Sequence, residues 1–368
     1  MIVIQFFFIQ MEIQSYLEKM KAIQNSILTF IGTDENDQDN YLNLNHLFEH
    51  NKIQENQHEL KSVLYLLSKI SMNYHRGPNF FKKLYQILDL FKTQIKQYFT
   101  NFEIFSVFHN NRKILLYLFD QKLVTVDRSI VATLTEKDFK TAKYPQYFFP
   151  ELKPFLSEDM IEEIQQEIPE NFEEKRENEV NENPLYELIR NNSIDEFMEF
   201  VKKNNISLTS TIQPSIFETN PYLVHRTPSL IEYSAFFGST KIFHYLYMNH
   251  IELTPSLYLY AIHGKNPEFL HVLETSKIMP EDSTYEECFR EAVKCHHHEI
   301  ANEILNEIED KKLSKYFSTC LKYYNFEYMD KECINESAFF DLCQYGYFPL
   351  VQILLKDDNI NVNSTIVL

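Results

Sequence analysis

The stretch EAVKCHHHEIANEIL, residues 291–305, sets one cysteine and three consecutive histidines inside a run of helical period. Two readings compete. A metal site needs three or four ligands converging on one point at roughly 2.0–2.3 Å. A turn between two helices would instead splay consecutive side chains in different directions. None of the five cysteines (Cys288, Cys295, Cys320, Cys333, Cys343) forms a C-x-x-C pair, the spacing that zinc ribbons use. The turn is the better reading, because the same layout recurs elsewhere in the chain.

LYELIRNNSIDEFMEFVKKNNISL (185–208), IEYSAFFGSTKIFHYLYMNHIEL (231–253), LYLYAIHGKNPEFLHVLETSKI (257–278) and FFDLCQYGYFPLVQILLKDDNINVN (339–363) share it. Each has an apolar residue, a small or apolar one four places on, two variable places and a turn residue, then an apolar second helix. The turn residues are Asn192, Gly238, Gly264, Cys295 and Gly346. Three of the chain's five glycines occupy this slot, and Ala235, Ala261 and Ala292 each stand three places before it. A left-handed turn favours Gly or Asn, and close helix packing before it favours a small side chain. A degenerate copy is expected around Cys320. A cryptic one, FSVFHNNRKILLYLFDQKLVTVD (105–127), puts Asn110 at the turn.

On these residues the chain resembles an ankyrin-repeat protein. The A-x-x-G turn, the second helix PLVQILL and the trailing DDNINVN carry the likeness, while the usual T-P-L-H opening is degraded to PSLIE and SLYLY. The turns are unevenly spaced, where the family keeps about 33 residues. The stretches NFEEKR, SIFETN and IEYSAFFGS resemble a group of ankyrin-like proteins expanded in a parasitic protist, a likeness extending over residues 11–368. The resemblance implies an all-α helical-repeat solenoid with an exposed concave face.

Working outward, residues 11–156 read as an N-terminal helical region. Leu60, Val63, Leu64, Leu67 and Ile70 share one helix face, and Asn79 can cap a second helix, FFKKLYQILDLFKTQIKQYF, with Phe80, Leu84, Ile87, Leu88, Phe91 and Ile95 inward. Residues 1–10, MIVIQFFFIQ, read as an apolar packed extension or a mis-assigned start, with a weak signal sequence as the alternative. Residues 157–187 hold 12 acidic and 2 basic residues. Within them, 157–183 reads as a short acidic helix followed by a solvated linker from Glu170, with an acidic docking segment as the alternative. Degenerate repeats fill 184–368. The ending VNSTIVL falls where a next repeat would begin, so fraying is expected after about residue 356.

Function follows by exclusion, then by pattern. A net charge of −18 repels phosphate and anionic lipid, so neither nucleic acid nor membrane is an expected partner. No G-x-G-x-x-G, Walker, H-E-x-x-H or G-x-S-x-G motif is present, and no catalytic, cofactor or metal site is assigned. Five cysteines without a clear export signal read as reduced thiols, hence a cytoplasmic or nuclear setting. A protein partner is expected on the concave face, at the two places before each turn: Phe236, Phe237, Ile262, His263, Val293, Lys294, Gln344 and Tyr345. Alternatively the insertion TIQPSIFETNPYLVHRTPS (211–229) folds over the phenylalanines and buries them. The other function readings are an adaptor with separate N-terminal and repeat partners, and a Cys–His hydrolase.

Overall fold

The computed structural model describes residues 2–33, 37–178, 183–213 and 215–357. Among them every regular element is helical, and the one pairing of extended backbone is an isolated antiparallel bridge between Thr211 and Ser229. None of these helices is long and apolar enough to cross a membrane.

The chain opens with α1 (Ile2–Gly32), α2 (Gln38–His50), α3 (Gln57–Asn73) and α4 (Phe80–Leu90). Helix α1 runs unbroken through the expected start at Met11, because Ile9, Ile13, Leu17, Met20, Ile23 and Ile27 form one buried stripe. The helix expected from Phe80 to about Phe99 is split at Phe91, and α5 (Lys92–Tyr98) is separate. There follow α6 (Asn101–Phe108), α7 (Arg112–Asp120), α8 (Arg128–Leu134), α9 (Lys137–Thr141), α10 (Tyr144–Tyr147), α11 (Phe149–Leu152) and α12 (Glu158–Glu167).

The linker expected from Glu170 is corrected by α13 (Phe172–Asn178). Phe172 is buried against Phe217, and Arg176 bonds the Glu151 carboxylate at 2.8 Å. Two such anchors hold a segment that composition alone assigns to solvent. Residues 179–182 of that linker, and the expected fraying from 358 onward, lie outside the described residues.

Most of the described residues from Pro184 onward form helical hairpins. These are α14 (Pro184–Arg190) with α15 (Ile194–Lys203), α16 (Leu230–Phe236) with α17 (Thr240–Met248), α18 (Leu257–His263) with α19 (Pro267–Thr275), and α20 (Glu286–Lys294) with α21 (His298–Glu307). Helix α22 (Phe317–Tyr323) is followed by short 3-10 turns in place of a second helix, and α23 (Phe339–Gln344) pairs with α24 (Phe348–Leu354).

Described residues within 1–70, 76–91 and 284–368 form one compact unit, and those within 71–75 and 92–283 form another. These units do not coincide with the divisions expected from the sequence at 157–183. In the first unit α1 packs on α2, α4 and α24, so helices far apart in the sequence share one core. Lys356 bonds the Glu12 carboxylate at 2.5 Å, and its carbonyl accepts from Gln5 at 2.7 Å. In the second unit α16 packs on both α14 and α18, and α15 on α17.

One turn geometry recurs between the helices. A residue of left-handed φ stands at Asn192 (53°), Gly238 (68°), Lys265 (53°), His296 (56°), Tyr324 (54°) and Gly346 (77°). In five of the six the next N–H closes on the carbonyl five residues back: Ser193 on Leu188, Ser239 on Ser234, His297 on Ala292, Asn325 on Cys320 and Tyr347 on Leu342, at 2.8–3.1 Å. Three expected turn positions, Asn192, Gly238 and Gly346, hold. Gly264 and Cys295 are corrected: both keep right-handed φ, −69° and −79°, and the turn falls one residue later. The cryptic copy is corrected too, since Asn110 lacks the left-handed φ and Asn111 caps α7 instead. The ends of the second helices repeat a matching closure, Leu123 on Leu118, Ile206 on Val201, Ile251 on Leu246 and Ile278 on Leu273.

Gly264 therefore needs another explanation than turn φ. A Cβ there would lie 2.0 Å from the Ala235 carbonyl oxygen, and one at Gly238 would lie 3.2 Å from the Gly264 carbonyl. Two successive hairpins meet backbone to backbone at this point. At the preceding junction Asn192 does what glycine could not: its Oδ1 accepts the N–H groups of Lys241 and Ile242, capping the first turn of α17.

Candidate functional site

In the second unit, Phe236, Ile262 and His263 end helices α16 and α18, and all three are buried. For Phe236 this is the alternative reading, burial under the insertion 211–229, and for Ile262 and His263 it corrects the expected exposure. The cover is the insertion 211–229. Tyr222 lies 5.6 Å from Phe236, 5.5 Å from Tyr260 and 4.1 Å from His263 between ring centroids, filling an aromatic slot. Burying four rings together gives more than their area alone. Phe237 stays half-buried beneath the Arg190 guanidinium, 4.9 Å above its ring.

The insertion is tied down by charge. Arg112 is 1% exposed and donates Nη1 to the carbonyls of Ile216 (2.8 Å) and Glu218 (2.7 Å). Its guanidinium also lies over the rings of Tyr144 (4.6 Å) and Tyr147 (5.3 Å). The Glu218 carboxylate pairs with Arg190 at 2.8 Å, and Arg190 Nε donates to Tyr233 Oη at 2.7 Å. Burial pulls the Arg112 pKa down, with Tyr144, Tyr147 and Glu218 pushing back. Beside this network a crevice of about 10 Å³, with Ser215, Glu218, Arg226 and Tyr233 among its lining residues, has room for one water.

In the first unit Val293 is fully buried, again contrary to the expected exposure. Lys294 and Tyr345 are half-buried and Gln344 is exposed, so these three remain accessible. The Lys294 ammonium bonds Glu291 at 2.8 Å and lies 5.8 Å from the Tyr323 ring centroid. Burial works against that charge, but Glu291 overrides it and holds the pKa above the ordinary value. Lys322 approaches the same ring at 5.5 Å. Tyr324 donates its hydroxyl to the Tyr345 carbonyl and stacks on Tyr65 of α3. Sequence reasoning missed Lys322, Tyr323 and Tyr65, because α22 has no second helix to mark its register and α3 is remote in the chain.

The histidine run falls one residue off its expected register. Cys295 ends α20, His296 takes the left-handed turn, His297 precedes α21 and His298 begins it. Burial pushes the Cys295 thiol well above its ordinary value and Cys320 up to about 12, and raises Cys333 and Cys343 as well. A thiolate nucleophile needs the opposite direction.

Burial, then the nearby His298, lowers His296 to about 3. Its ring rests against the Tyr323 backbone without a well-formed bond at either nitrogen. The folded state therefore resists a proton that the unfolded chain takes up near pH 6.5. No penalty exists above that pH, and it grows as pH falls toward 3. The slope of about 1.4 kcal/mol per unit makes it roughly 3 kcal/mol by pH 4.5. His296→Asn tolerates the left-handed φ. Urea unfolding at pH 7 and 4.5 is expected to show the variant losing less stability on acidification than the native protein. Equal losses would refute this.

Comparison with models of known families, with curated proteins and with solved structures found no match.

Proposed function

We propose that the chain is a non-catalytic protein-binding module built of ankyrin-like helical repeats, a solenoid type of architecture that takes a protein partner at the ends of its first helices. The observation that carries this reading is the recurrence of one left-handed turn, with one hydrogen-bond closure, after α14, α16, α20, α22 and α23. Repetition of a scaffold with changing side chains at each turn suits recognition, since the turns place variable residues at equivalent points. The accessible turn-end residues Lys294, Gln344 and Tyr345, with Lys322 and Tyr323 beside them, supply charge, an amide and aromatic area, a composition common in interfaces.

The test compares native protein with Lys294→Ala/Gln344→Ala/Tyr345→Ala in affinity capture from a lysate of the source cells. Circular dichroism and melting first establish that the variant folds. Loss of bound proteins by about tenfold or more is expected, the scale of a hot spot worth roughly 1.4 kcal/mol or more. Capture unchanged by a folded triple variant refutes the site.

A further inference from the structure

Within the first unit α1 is joined to the α20–α22 region through a chain of amides whose orientations are fixed by the backbone. Gln24 of α1 is fully buried, and its Oε1 accepts the Phe326 N–H at 2.8 Å. That bond leaves the Gln24 NH₂ group facing His298, 3.1 Å from Nε2. Asn325, also fully buried, donates Nδ2 to the Val293 carbonyl at 2.7 Å and accepts the Glu327 N–H on Oδ1 at 3.1 Å. The more distant approach of Gln24 Nε2 to Asn325 Oδ1, at 3.5 Å, runs the same way. Neither amide can turn over without setting N–H against N–H.

The consequence falls on His298. With Gln24 Nε2 obliged to donate, the imidazole must accept at Nε2, which only the neutral ring with its proton on Nδ1 can do. Protonation puts a second donor where an acceptor is required. The imidazolium has an alternative anion in view. That anion is Glu327, which interacts electrostatically with His298 and is bonded to Lys21 at 2.9 Å and to Asn25 at 3.4 Å. Burial works to raise the Glu327 carboxyl, but Lys21, Asn25 and a charged His298 hold it below the usual value. The other groups around the ring are Tyr328, whose hydroxyl donates to the His298 carbonyl at 3.0 Å, the His296 ring 6.4 Å away, and the sequence neighbours His297 and Glu299.

We propose that the Gln24–His298 contact is a pH switch built into the fold: mild acid breaks it, turns His298 toward Glu327 and loosens α1 from the hairpins that hold it. The helix released carries the buried stripe from Ile13 to Ile27, so loosening uncovers apolar surface. An imidazole titrates where cellular compartments differ in acidity, and a single contact of this kind is enough to change helix opening measurably.

The experiment is hydrogen exchange by mass spectrometry on the full chain at pH 7.5 and 5.5, with rates corrected for intrinsic exchange. Protection of the α1 amides is expected to fall by about tenfold at the lower pH, the scale of one lost neutral hydrogen bond. His298→Gln keeps an oxygen acceptor at both pH values and is expected to abolish the difference. Gln24→Glu supplies an acceptor for the imidazolium and is expected to reverse its sign. All proteins are compared in a His296→Asn background, which leaves the contact intact and removes the general acid penalty of that buried ring, so that a fall in α1 protection belongs to His298. A protein keeping Gln24 and His298 with no pH-dependent change in α1, or the same change in His298→Gln, overturns the proposal.

Discussion

Gly264→Ala is expected to lower the stability of the protein by roughly 3 kcal/mol, at or above the upper end of what overpacking costs. The new methyl would stand 2.0 Å from the Ala235 carbonyl oxygen, a backbone atom, and neither group can rotate out of the way. Relief requires the α16 and α18 hairpins to separate along their whole contact, not the rotation of one side chain. The conformational explanation of glycine makes a different forecast. If Gly264 were needed for a left-handed turn, alanine would cost about 1–2 kcal/mol. The left-handed residue is Lys265, and Lys265→Gly is expected to change stability by no more than about 1 kcal/mol. Urea unfolding of both variants separates the explanations, and a Gly264→Ala cost under about 1 kcal/mol would remove the close-approach account.

Arg112→Ala is expected to cost about 3–5 kcal/mol, the range for removing one member of a buried charged network. The guanidinium holds the carbonyls of Ile216 and Glu218 while lying over two tyrosine rings. Its loss strands both carbonyls in the interior and leaves a cavity against Tyr144 and Tyr147. Arg112→Lys is expected to recover less than half of the loss, because a compact ammonium cannot span the carbonyls and stack on the rings together. The insertion should respond locally as well, with faster amide exchange at residues 215–224 in both variants. Full recovery by lysine would mean that charge alone matters.

Much of the fold was legible because helical period reports burial directly. Leu60, Val63, Leu64, Leu67 and Ile70 all lie in the core, as do Phe80, Leu84, Ile87, Leu88, Phe91 and Ile95. The turns were legible where glycine or asparagine meets a left-handed φ. They were misplaced by one residue at Gly264 and Cys295, because a scarce glycine can serve conformation or proximity and the letter does not say which. Tyr222 could not be assigned to the Phe236–His263 slot from pattern, since irregular backbone has no period. The pairing of α1 with α24 was invisible for a related reason: Gln5 and Lys356 meet across nearly the whole sequence. The candidate interaction face was legible only as a pair of alternatives: burial of Phe236 under the insertion 211–229 could be named from the sequence, but not which ring of that irregular segment would fill the slot.

Site-specific photo-crosslinking decides whether the accessible ends of the first helices receive a protein partner. Benzoylphenylalanine is placed at Gln344, which is exposed beside the turn after α23, and in a second protein at Met248, 76% exposed at the end of α17. A discrete crosslinked protein is expected from Gln344 and is absent or much weaker from Met248. Equal crosslinking at both positions, or none from Gln344 while Met248 captures a discrete partner, would contradict binding at those helix ends.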